Sequence, residues 1–171
     1  MVGYSQTSPL PAIAKIKGTL SIFHSMDYTQ GTIGRVFVAR IDHEEDLLSE
    51  LEDLAVNEDI RSAFFYLLGA TGGAKIVTGP KQKTIPPDVN IKQFDDAKEI
   101  LGIGNIFWEV GKPKIHLHAS ASSSNECLMG CFREFTEVFM VVEVVIFEIE
   151  GIMAERIRDS DMGFSPVRFF L

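Results

Sequence analysis

The chain has 171 residues, 46% of them hydrophobic and 23% charged, ordinary values for one globular domain with a substantial core. Its formal net charge of −8 and pI near 5 oppose a phosphate backbone, so any duplex binding would need a local basic patch or a partner. The longest purely apolar run toward the C-terminus, residues 138–142, falls far short of the roughly 20 residues that span a bilayer, and no transmembrane helix is expected.

Residues 1–31 are rich in Ser, Thr, Gly and Pro around one modest apolar stretch at 16–23, without the basic start and long apolar centre of a secretory signal. They read as an N-terminal arm or extension. Met26 opens a run that would naturally begin a compact domain, placed at 32–150, and 151–171 reads as a short strand or docking tail.

Within 32–41, Ile33, Arg35, Phe37, Ala39 and Ile41 alternate against Val36 and Val38, as a strand requires. Asp42 is expected to cap a helix, with Glu44 and Glu45 in its first turn, where the macrodipole favours acids. Leu47, Leu48, Leu51, Leu54 and Ala55 then recur at helical spacing to about Asn57, leaving Glu50, Glu52 and Asp53 on a solvated face.

A second β run, 61–70, ends in Gly69-Ala70-Thr71-Gly72-Gly73. No Gly-Lys-Ser/Thr and no helix follow, so these glycines predict a turn or bulge before a strand at 74–78 rather than a phosphate loop. Residues 79–90, with three prolines and three lysines, read as an exposed loop. Phe94 and Ile100 anchor the polar stretch that follows, and the spaced Gly102 and Gly104 predict a strand bend or a close backbone approach. Gly111-Lys112-Pro113 is a turn.

The most informative stretch comes next. Alternation along a strand points His116 and His118 the same way while Ile115 and Leu117 enter a core. By the same rule Cys127, Met129 and Cys131 share a face in the following strand, so a sulfur lies within one hairpin of two imidazoles. Imidazole with thiolate suits zinc, and three protein ligands leave the fourth tetrahedral position open. Structural alternatives are two hydrogen-bonded histidines on a solvated or subunit-facing strand, and a buried cysteine acting as a small hydrophobe. Cys127 replaces Cys131 as the ligand if the hairpin register differs. On one strand the two cysteine Cα atoms lie roughly 13 Å apart, beyond the roughly 7 Å limit of a disulfide. Free thiols, and hence a cytoplasmic location, are expected.

Residues 136–148 are apolar on both strand faces, which predicts burial from both sides by sheet packing or by a neighbouring subunit. Glu143 interrupts the run and must then be paired, protonated or near a metal. It reads as a structural acid or as an acceptor behind the histidines rather than as a ligand.

Gly34-Arg35-Val36-Phe37, the leucine-rich helix, the Gly-Ala turn after a buried strand, His116-Leu117-His118-Ala119-Ser120, Met129-Gly130-Cys131 and Glu143-Val144-Val145-Ile146 together resemble the plants and prokaryotes conserved (PPC) domain over about 32–149. The resemblance implies an α+β fold, with a curved, mainly antiparallel sheet and one principal helix, related to acetolactate decarboxylase and to a zinc-binding ester hydrolase family. It also implies a homotrimer and a metal set of His116, His118 and Cys131, where many members have a third histidine at the last position. Plant members carry AT-hooks and prokaryotic ones bear a DNA-binding label, but the Arg-Gly-Arg-Pro core of an AT-hook is missing from this sequence.

Three functions follow as expectations: a trimerising zinc module that acts through a partner, a DNA-associated regulator, or a zinc enzyme. The enzyme would hydrolyse or decarboxylate a small oxo-acid or ester, with the metal lowering the pKa of water or polarising a carbonyl. Glu143 or another carboxylate would carry the proton, and no second acid–base residue can be named from the sequence.

Overall fold

The structure, a computed structural model, describes residues 26–170. The reading of 1–25 as part of an N-terminal arm lies outside the described residues. Eight strands and one helix follow in chain order: β1 Thr32–Asp42, α1 Leu47–Asn57, β2 Ser62–Pro80, β3 Val89–Phe94, β4 Lys98–Glu109, β5 Lys112–Ser122, β6 Cys127–Glu150, β7 Met153–Arg156 and β8 Val167–Phe170. The fold is α+β, as expected from the sequence.

The four long strands close on themselves. β2 pairs with both β4 and β6, and β5 pairs with β4 and β6, all antiparallel. β1 adds to the far half of β6, β3 to the far half of β2, and the small β7–β8 hairpin meets β4 through Trp108 and Glu155. Closure removes most free edges and gives the sheet an inside and an outside.

Two strands are longer than the sequence suggests. The run 61–70 and the run 74–78 are one strand, because β6 runs beside both and the Gly69–Gly73 segment bulges rather than turns. Gly69 is the pivot: its φ is +148°, and a Cβ there would lie 2.3 Å from the Val141 carbonyl oxygen. β6 likewise joins the 127–133 and 136–148 runs, bending where Glu134 and Met140 take positive φ.

The helix begins later than expected. Asp42 ends β1 opposite Val141, and Asp46 caps α1, one carboxylate oxygen accepting from the Ser49 N–H and the other from the Thr136 N–H of β6. Glu44 and Glu45 therefore precede the helix, and Glu50 occupies its first turn.

Inward side chains of β2, β4, β5 and β6, among them Phe65, Leu67, Ile106, Leu117, Phe132, Val144 and Ile146, form one buried cluster, joined by Leu47, Leu51 and Ala55 of α1. Each fully buried side chain of this size contributes on the order of 1.5–3 kcal/mol. Gly104 is required by this packing, since a Cβ would lie 2.2 Å from Phe65 Cζ. Glu148 also points inward, and Arg35 holds it with a 2.7 Å bond from Nε. That pairing lowers the Glu148 pKa below its usual value.

Candidate metal centre

β4 and β5 form a tight hairpin whose two turn residues, Val110 and Gly111, both have positive φ, as a two-residue turn matched to strand twist requires. That turn fixes the β5 register: Ile115, Leu117, Ala119 and Ala121 go inward, and His116 and His118 go outward. The next hairpin pairs His118 directly with Cys131 and Ser122 with Cys127. Cys131 is therefore the sulfur beside the histidines, and Cys127 sits four residues along β5 from His118. Both cysteines are free.

The ligand-capable atoms of His116, His118 and Cys131 all lie within 4.8 Å of one another. The two rings meet edge to face, centroids 4.9 Å apart. In tetrahedral zinc coordination the ligand atoms stand about 3.3–3.8 Å apart, given metal–ligand bonds of about 2.0–2.3 Å. Side-chain adjustments of about 1 Å would thus close this set on an ion, and its soft sulfur and two nitrogens are a donor set that zinc accepts.

Cationic neighbours modify the site. Arg156, delivered by β7, places Nη2 3.4 Å from His116 Nδ1 and 2.7 Å from Asn105 Oδ1. Burial first, then Arg156, His118 and Arg133, lower the His116 pKa to about 4, so the ring is neutral at neutral pH. A guanidinium only donates, so the Nδ1 lone pair faces Arg156 and the proton of the neutral ring resides on Nε2. Coordination through Nδ1 would displace that hydrogen bond. Arg133, two residues beyond Cys131, donates from Nε to Sγ at 3.4 Å.

His116 and Cys131 also line a cavity of about 600 Å³, whose other walls come from α1, the 131–134 segment and the 156–165 segment. Glu109 reaches it and accepts from the Ser165 hydroxyl. Glu52 lines it from α1, its pKa raised by burial.

Glu143 belongs elsewhere. It pairs with Arg40 of β1 and Leu68 of β2, is exposed, and does not line the cavity. Its apolar neighbours alternate, Val142 and Val144 inward and Glu143 outward, so nothing obliges it to be paired or protonated. The sequence reading missed Arg133 and Arg156. Alternation places Arg133 on the ligand face of β6 and could have identified it, whereas no local signal ties Arg156 to a histidine 40 residues earlier.

Among the described residues, no helix is long and apolar enough to cross a membrane. No protein among the curated ones matches the chain. Solved structures do. The metal-containing protein of Archaeoglobus fulgidus is 25% identical, with a TM-score of 0.74 over 82% of this chain and 98% of its own. A plant- and prokaryote-conserved protein of Pyrococcus horikoshii is 23% identical, with a TM-score of 0.72 over 82% and 95%. A protein of Ralstonia eutropha JMP134 whose name proposes DNA binding is 22% identical, with a TM-score of 0.65 over 77% and 89%. Residues 28–150 match the model of the Plants and Prokaryotes Conserved (PCC) domain, abbreviated PPC above, and the chain belongs to that family.

Proposed function

We propose that this chain is a homotrimeric zinc-binding module that acts in regulation through a partner. The observation that carries the metal reading is the direct pairing of His118 with Cys131, which gathers three donors within 4.8 Å. His116, His118 and Cys131 would hold the ion; when bound it supplies Lewis acidity at one open position. The free cysteines accord with a reducing, cytoplasmic setting.

Assembly is supported by the outside of the sheet. Val38, Val145, Tyr66 and Ile103 stand side by side across β1, β6, β2 and β4, and the same row ends at His118. A parallel row through Val36, Phe147, Phe64 and Asn105 ends at His116. Val36, Val38, Phe64, Tyr66, Leu68, Leu101 and Ile103 are exposed in the single chain, and a contiguous patch of this kind marks an association surface. Paired residues project from the same side of a sheet, so the metal site borders the prospective interface.

Elemental analysis of the purified protein beside His116→Ala and Cys131→Ser tests the metal. One zinc per chain, lost in both variants, is expected; wild-type protein without metal overturns the reading. Light scattering tests assembly, with three times the chain mass expected and a monomer counting against it.

The cavity favours a second reading, a zinc-dependent hydrolase or decarboxylase for a small oxo-acid or ester, with Glu109 or Glu52 positioned to carry a proton. Turnover abolished by a chelator and restored by zinc would establish it. The DNA label finds less support. Lys81 and Lys92, in and just after the lysine-bearing loop, are engaged by Asp88 and Glu126, and the net charge is −8.

A further inference from the structure

Carboxylates outnumber cationic side chains 24 to 16 in this chain, so most lysines and arginines should find an acidic partner. Many do, including Arg35, Lys75, Lys98 and Arg168. The cavity beside the metal centre departs from that pattern. Four cations line it, Lys114, Arg133, Arg156 and Arg158, and among the described residues none of them makes an ion pair.

The acids on the same walls stay beyond ion-pair distance of these cations, although Glu109 acts on Arg156 through space. Both oxygens of Asp46 accept backbone N–H bonds, from Ser49 and Thr136. Glu134 is bound by Lys75 at 2.6 Å, and Glu109 by the Ser165 hydroxyl. The Glu52 pKa is raised by burial, which disfavours its charge. The cations retain donors in turn. Arg156 gives Nη1 to the Ser165 carbonyl and Nη2 to Asn105, while its Nε is buried without a partner. A buried donor left unsatisfied costs about 1–3 kcal/mol, so the fold holds Arg156 in this wall at an energetic cost.

From these observations we infer that the cavity takes a small organic anion, its carboxylate or phosphate group received by Arg156 and Arg158 and its apolar part lying against Leu48 and Phe164. Planar guanidinium groups match both oxyanions with paired N–H donors. A cavity of about 600 Å³ is the size of a metabolite site and far too small for a duplex. The inference rests on and deepens the metal reading, since His116 and Cys131, two of the three residues that would hold the ion, line the same cavity. The arginines make it testable separately.

The test is calorimetric titration of the full chain with 2-oxobutanoate, phenyl phosphate and, as the uncharged control, butanamide, with zinc content measured on each sample. The two anions distinguish a carboxylate from a phosphate ligand. Binding by at least one of them, none by butanamide, and a loss of about tenfold or more in Arg158→Gln are expected. Arg158 is exposed, so its replacement leaves the fold intact. Arg156→Gln should show the same loss, and Arg40→Gln, an exposed residue of β1 outside the cavity lining, none. Zinc-loaded protein that binds neither anion at about 10 mM, or binds one equally well without Arg156 and Arg158, overturns this inference and leaves the metal reading standing. Zinc-free protein that still binds an anion through the arginines does the reverse.

Discussion

The two faces of β5 are built by opposite rules. Inward, Ile115, Leu117, Ala119 and Ala121 are buried members of the apolar core cluster, with Ile115 also reaching the cavity wall. Outward, Lys114, His116, His118 and Ser120 stand at the border between an exposed apolar sheet face and a charged cavity. The inner face stabilises the fold whatever the outer one carries. The outer face is held in place by that rigidity, so an exposed residue on it such as His118 can change with little cost to folding.

The comparison can be tested most severely from the inside. Phe65 is fully buried and packs against the gap left by Gly104, so Phe65→Ala should cost about 3–5 kcal/mol in chemical denaturation. Leu117→Ala, directly between the two histidines, should cost about 2–5 kcal/mol. By contrast His118→Ala on the exposed side should change the stability of chelator-treated protein by no more than about 0.5 kcal/mol while removing the bound zinc. Equal losses of stability at Leu117 and His118 would erase the distinction.

The two faces also differ in response to acid. His116 takes up a proton at about pH 4 in the folded chain against 6.5 in the unfolded one. The unfolded state therefore binds more protons between those values, and metal-free protein should lose stability as pH falls from 6.5 toward 4. Glu148 acts lower on the scale. Its pKa is held below 4.5 by the Arg35 hydrogen bond, so the stability it contributes is complete above 4.5 and is lost as pH falls below it. Denaturation midpoints measured against pH should show both limbs. His116→Gln should remove the first, and Arg35→Gln should flatten the second.

What the sequence revealed follows the same division. Alternation made β5, the ligand face of the β5–β6 hairpin, and β1 beyond its bulge between Ile33 and Val36 legible, because period-two patterning states which residues share a side. Where a continuous strand bulges, the same signal is interrupted. Gly69–Gly73 reads equally as turn or bulge until β6 is known to run alongside both halves of β2. The helix start was misplaced by a choice between two aspartates. Asp46 won over Asp42 because its carboxylate serves Ser49 and Thr136 together, a tertiary contact no local window contains. Glu143 was misread because its apolar neighbours suggested burial on both faces. The arrival of Arg156 at His116 depends on where the β7–β8 hairpin docks, and is invisible in either segment alone.

The smallest effect expected is the sharpest test of register. Cys127 shares a strand face with Cys131, and sequence alone could not decide between the two sulfurs. In the structure Cys127 pairs with Ser122, four residues from His118, which at about 3.3 Å per residue puts it roughly 13 Å from the nearer imidazole's backbone. That span exceeds the reach of any metal–sulfur and metal–nitrogen bond pair, about 4.4 Å end to end. Cys127→Ser should therefore leave zinc content unchanged while Cys131→Ser abolishes it. The opposite result would mean that the hairpin is shifted by four residues, and that the arginine which travels with Cys131 on β6 faces a different side chain altogether.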